Sequence, residues 1–160
     1  MAANEVNKKL VDIVEKFYED VVDDFKEAEG IIINESKFTS IFKKKNHDRN
    51  IKKLRSCKKK CIVLPVETIK LEAGDDVGQE VMKNLERTRF AFNALCDAHI
   101  QLQLSLQKKS DGEKVGYGEY KEIYNRVNKC RTDLNSQLHE LDIIYTDYTY
   151  DEDEDPYEFL

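Results

Sequence analysis

The sequence predicts an all-α protein: an antiparallel helical bundle of about four helices around a long C-terminal helical hairpin, with an irregular linker at 62–78. Three observations carry this. Breakers are scarce, with six Gly and two Pro in 160 residues, so long uninterrupted helices are allowed. Apolar residues recur in steps of three and four along most of the chain, which is the period of one helix face and not of a strand. Charged residues make up 36% of the chain and apolar residues 40%, enough of each to coat helices outside and fill one core inside. Residues 1–150 are therefore expected to form a single helical-bundle domain. The last ten residues, DEDEDPYEFL, are expected to be a flexible acidic tail, too poor in apolar side chains to fold alone.

The first helix carries its stripe on Val6, Leu10, Val14, Phe17, Val21, Phe25 and Ala28, widened by Val11, Ile13, Tyr18 and Val22. Asn4 is its expected N-cap, and Gly30 stands where a left-handed residue would end it. The β-branched run Ile31–Ile33 reads as a short extended segment. Asn34 or Ser36 would then cap a helix through Phe38, Ile41 and Phe42, broken at Asn46, His47 and Asp48. Beyond the break, Ile51, Leu54, Cys57 and Cys61 form the stripe of a second amphipathic helix, with the lysines and arginines around them pointing mostly outward. Pro65 and the cluster Gly74, Asp75, Asp76 and Gly78 make 62–78 a packed extended linker. The alternative there is a short strand at 62–64 paired with 31–33.

Asp76 with Gln79 reads as a capping box opening the first arm of the hairpin. Its seam is Val81, Leu85, Thr88, Phe92, Leu95, His99, Leu102 and Leu106, spaced as in a coiled coil. After the turn KKSDGEKVG the second arm answers with Tyr120, Ile123, Val127, Cys130, Leu134, Leu141, Ile144 and Tyr148, Gln137 taking one slot. Two long helices joined by a short turn become antiparallel neighbours. Folding about residue 113 pairs Leu106 with Tyr120, His99 with Val127, Phe92 with Leu134, Leu85 with Leu141 and Cys96 with Cys130.

Charge is sorted along the chain. Residues 42–61 hold ten Lys or Arg against one acid, residues 141–160 hold eight acids and no base, and the first 41 residues hold ten acids and five bases. The basic set is Lys43, Lys44, Lys45, Arg49, Lys52, Lys53, Arg55, Lys58, Lys59 and Lys60. Ten cations in twenty residues could bind a polyanion with a steep salt dependence. Lysine outnumbers arginine eight to two, and no aromatic follows Phe42 in the run, so such binding would read charge and not sequence. The same run loosely fits the lysine clusters of a nuclear signal or a contact with membrane headgroups, and it would also serve as a solvated face neutralising the acidic first helix and tail. The acidic tail could compete for it. The terminal Tyr-Glu-Phe-Leu matches a sorting signature of little specificity.

Cysteine and histidine offer one further constellation. Cys57 and Cys61 lie one turn apart, Cys96 and His99 likewise, and the hairpin register sets Cys130 at their level, a donor set for tetrahedral zinc. The structural reading is buried small thiols with a core histidine; a Cys96–Cys130 disulfide is the third. The charged N-terminal sequence lacks a secretory hydrophobic region, so reduced thiols and a cytoplasmic setting are expected. No apolar run approaches the ~20 residues of a membrane span.

Phosphate-binding loops, nucleophile elbows and His-Glu-x-x-His patterns are absent from the sequence, and no cofactor is expected. The expected function is non-catalytic binding of a protein partner, as a helical adaptor, inhibitor or regulatory module, with a homodimer through the first helix as one form of it. The alternative is a nucleic-acid or polyanion binder acting through residues 43–60.

Overall fold

The computed structural model describes residues 6–37 and 46–150. All regular structure among them is helical, as the period of the apolar residues requires. Helix α1 (Lys8–Lys16) and helix α2 (Asp23–Lys37) are joined without a break by a π-helical stretch, Phe17–Val22. Helix α3 spans His47–Ile62, α4 Asp76–Ser110 and α5 Tyr117–Thr149.

Neighbouring side chains fix the topology as up-down-up-down. Asp24 meets Lys53 and Lys60 while Glu35 meets Arg49 and Asn50, so α2 and α3 run antiparallel. Asp48 meets Gln107, Lys58 meets Asp97, and the last carbonyls of α3 meet Arg89, so α3 and α4 are antiparallel too. Thr88 reaches the Gln137 carbonyl and Arg126 reaches Gln101, in the register expected for a hairpin folded about residue 113. Helix α5 returns along the first rod through Arg131–Glu29, Tyr145–Glu15 and Tyr148–Asn7.

The core lies between the first rod and α4. Phe92 is fully buried and takes the rings of Phe17 and Phe25 edge-on, at centroid distances of 6.1 and 5.2 Å. The π-helical stretch turns less per residue than an α-helix, and it carries both Val21 and Val22 into this core. Apart from Val6, which is 36% exposed, the expected stripes of the first rod, of α3 and of both hairpin arms are buried or half-buried along their described lengths. On α4, the small or short residues Asn84, Ala91, Ala98 and Ser105 recur every seven positions and are all buried. Ala91 borders one groove with Cys130, and Ser105 another with Val115. This places the stripe on the α5 flank, where small side chains let the helices approach closely.

Several local expectations are corrected. The first rod does not end at Gly30. Helix α2 continues through it and through Ile31–Ile33, so no strand forms there or at 62–64, and Asn34 lies inside the helix. The signal of a C′ glycine is local, whereas Glu29 and Glu35 on either side of it are anchored to α4, α5 and α3; tertiary contacts outweigh a propensity of about 1 kcal/mol. Asn4 lies outside the described residues, and the cap is Asn7, whose side chain accepts from the Leu10 amide. The cap of α4 is Asp75, one residue before the expected Asp76, accepting from the Gly78 amide. The helix predicted through Phe38, Ile41 and Phe42, and the acidic tail, lie outside the described residues. The linker packs as expected, with Leu64, Val66 and Ile69 buried around a 3-10 turn at Val66–Thr68. The two turns use glycine with positive φ, Gly74 before the cap of α4 and Gly112 after its end.

Candidate functional site: the outer face of α3 and the cleft at its N-terminal end

Helix α3 begins at Asn46, which caps it by accepting from the Arg49 amide. It ends under Arg89, which donates to the Cys61 and Ile62 carbonyls. A cation at a helix C-terminus both fills orphan acceptors and opposes the negative end of the dipole. Three faces result. Ile51, Leu54, Cys57 and Cys61 point inward and are buried. On the flanks, Lys53 and Lys60 both bond Asp24 at 3.0 and 3.1 Å, Lys58 bonds Asp97 at 2.8 Å, and Arg49 bonds Glu35. Burial pushes the Asp24 carboxyl up, but hydrogen bonds from Lys53, Lys60 and Cys57 outweigh that and hold it below its ordinary value.

The outermost face carries Lys52, Arg55 and Lys59, spaced three and four apart on one stripe and all exposed. None of the three has a carboxylate partner among the described residues. Lys43, Lys44 and Lys45 of the predicted basic set lie outside the described residues. Four of the seven described cations of the basic set are thus spent on carboxylates of the bundle, and a narrow ridge of three remains.

The metal constellation does not assemble. Among the described residues no group of three or more His, Cys, Asp or Glu side chains is placed to hold an ion. Cys57, Cys61, Cys96 and Cys130 are all free, so the Cys96–Cys130 bridge is absent. Burial pushes the Cys57 thiol up to about 11 and that of Cys96 further still, the reverse of what a thiolate ligand or nucleophile needs. His99, 2% exposed, turns instead to Glu29, with Nε2 2.6 Å from its carboxylate. Arg131 shares the same oxygen at 3.3 Å. Burial raises the Glu29 carboxyl, but the His99 hydrogen bond and the Arg131 charge bring it below its ordinary value. Among the described residues the other ring nitrogen of His99 has no partner.

Sequence reasoning missed a cleft at the end of the bundle where α2 finishes and α3 begins. It has a volume of about 460 Å³ and is walled by side chains of α2, α3, α4 and α5. Its polar wall is a shared network: His47 Nδ1 donates to Gln103 Oε1 at 2.7 Å, Asn50 Nδ2 donates to the same oxygen at 3.2 Å and to Glu35 at 2.9 Å. His47, Asn50 and Gln103 are all buried. The available signal was polar residues on buried stripes, Asn50 beside Ile51 and Gln103 one turn after His99. No family model, curated protein or solved structure matches the chain.

Proposed function

We propose that the protein is a non-catalytic helical binding module that engages an acidic protein surface through the outer ridge of α3. The observation that carries this is the division of the α3 cations. Arg49, Lys53, Lys58 and Lys60 bond carboxylates of the bundle itself, whereas Lys52, Arg55 and Lys59 do not. Each phosphate neutralised on duplex DNA adds about 0.9 to the salt slope. The seven described cations of the basic set would give a slope of about 6.3 if all were free, the three outer ones only about 2.7. A ridge of three suits a few acidic side chains on a partner better than a polyanion track. The non-catalytic part rests on the titratable groups: both described core histidines are hydrogen-bonded within the fold, and the buried thiols are held protonated.

The test is titration with a synthetic Asp/Glu-rich peptide and with single-stranded DNA of equal length, across a salt series. The peptide is expected to bind the wild-type chain, and the triple reversal Lys52→Glu, Arg55→Glu, Lys59→Glu to weaken it at least tenfold. Lys53→Ala, which removes an already paired cation, should leave peptide affinity within a factor of two. Unchanged peptide binding in the triple variant overturns the reading. Tighter DNA binding with a slope near 7, about 0.7 for each of the ten cations on a single strand, replaces it with the polyanion alternative.

A further inference from the structure

The cleft at the end of the bundle has the volume of a small-molecule site, about 460 Å³ against the few hundred to a thousand typical of such sites. Its body is apolar, built from Ile32, Leu102, Leu106 and Val127. On one wall the rings of Tyr120 and Tyr124 stack 6.3 Å apart and 17° from parallel. We propose that this cleft binds an uncharged, flat ring compound bearing an amide, either appended or within the ring.

Charge comes first. Every ionised group at the cleft is already matched: Glu35 by Arg49 and Asn50, Arg131 by Glu29. An anionic ligand would meet Glu29 and Glu35 with Arg131 already engaged, and a cation would have to compete with two seated arginines. Neither gains enough to offset its own desolvation.

Hydrogen bonding then selects among neutral ligands. Gln103 Oε1 accepts from both His47 and Asn50, which fixes the orientation of the amide and leaves its Nε2 without a partner among the described residues. His47 uses Nδ1 as its donor, so in the neutral ring Nε2 presents a lone pair. One side chain thus offers N–H donors and its hydrogen-bonded neighbour offers an acceptor. An amide edge, C=O beside N–H, answers both. The apolar body and the stacked tyrosines favour a flat aromatic or heteroaromatic frame behind that edge.

The experiment is two-dimensional NMR of the full chain titrated with benzamide, benzoate and benzylamine, three probes with one ring and different charge. Benzamide is expected to shift the Gln103 side-chain amide and the methyls of Leu102, Leu106 and Val127. It should saturate with a dissociation constant on the order of 1 mM, as suits so small a ligand. Benzoate and benzylamine should bind at least tenfold more weakly. Gln103→Leu, which keeps the apolar body, should lose benzamide at least tenfold; Val127→Met, which fills the cleft without touching the polar wall, should lose it too. Thermal melts establish that each variant folds, and if Gln103→Leu does not, Val127→Met carries the test. Absence of benzamide binding, equal affinity for benzoate, or shifts that persist in the folded variants overturn the proposal. The ridge reversal of α3 should leave benzamide affinity unchanged, so the two readings fail independently.

Discussion

Phe90 and Phe92 are two residues apart on α4, and the structure assigns them opposite fates. Phe92 is fully buried with Phe17 and Phe25 edge-on against it, and Phe90 is 79% exposed. Truncating a fully buried Phe to Ala removes its transfer energy and leaves a cavity, about 3–5 kcal/mol together. That is a large part of the 5–15 kcal/mol that holds a typical domain. At this length each kcal/mol moves the melting midpoint by roughly 2–4 °C, so Phe92→Ala should melt about 6–20 °C below the wild-type chain. Phe90→Ala gives up little burial, and Ala is the better helix former; its midpoint should move by no more than about 2 °C. The assay is circular dichroism at 222 nm through a thermal ramp, with both variants at one concentration. Equal shifts, or a larger one for Phe90→Ala, would mean that the α4 stripe faces another way and that the hairpin register is wrong.

Other perturbations probe single features. The Tyr18 hydroxyl is buried without a partner among the described residues, and burial with the nearby Asp142 and Tyr145 pushes its pKa up to about 12. Tyr18→Phe should therefore raise the melting midpoint by roughly 2–4 °C, and a fall would show that the hydroxyl is satisfied. Asp24 and Glu29 sit below their ordinary values, so each stabilises the fold above the unfolded carboxylate pKa and loses that effect as pH drops through the lower, folded one. Melting midpoints should accordingly decline below about pH 4, and Asp24→Asn and Glu29→Gln should differ most from wild type near pH 6.5 and least near pH 3; a constant difference refutes the linkage. A thiol reagent should modify Cys130 in the native protein and all four cysteines in denaturant, because the other three are buried; native labelling of a second thiol would contradict their placement.

What was legible in the sequence was periodic. The stripes of the first rod, of α3 and of both hairpin arms repeat often enough that one odd residue does not disturb them, and the pairing about residue 113 follows from seam spacing and turn length. What was not legible depended on single contacts between distant residues. Gly30 and Ile31–Ile33 carry local signals for a helix end and a strand. Anchors at Glu29 and Glu35 overrule them, and their partners lie on α3, α4 and α5. The basic run showed its charge but not its pairing, because Asp24 and Asp97 are remote in sequence from Lys53, Lys60 and Lys58. His99 fell correctly on the seam, yet its partner Glu29 is 70 positions away, so the sequence placed the ring in the core without naming what satisfies it.

Among the described residues, the cleft near the start of α3 differs from the grooves beside α5 in what lines it. Along the α4–α5 flank the residues at every seventh position of α4 are short, and grooves bordered by Ala91 and Ser105 run beside them. At the end near α3 the corresponding interior positions hold His47, Asn50 and Gln103, whose hydrogen bonds to one another and to Glu35 fix their rotamers. An apolar cluster can slide and collapse into a void, because dispersion contacts have no preferred direction. A hydrogen-bonded cluster resists such collapse, because moving one member leaves another buried and unpaired. The cleft is thus maintained by the network that lines it. Replacing Gln103 and Asn50 with Leu together should close the cleft and stiffen that end of the bundle, readable as slower amide hydrogen exchange between Leu102 and Leu106. Faster exchange there would show that the polar network, and not the apolar body, holds these helices together.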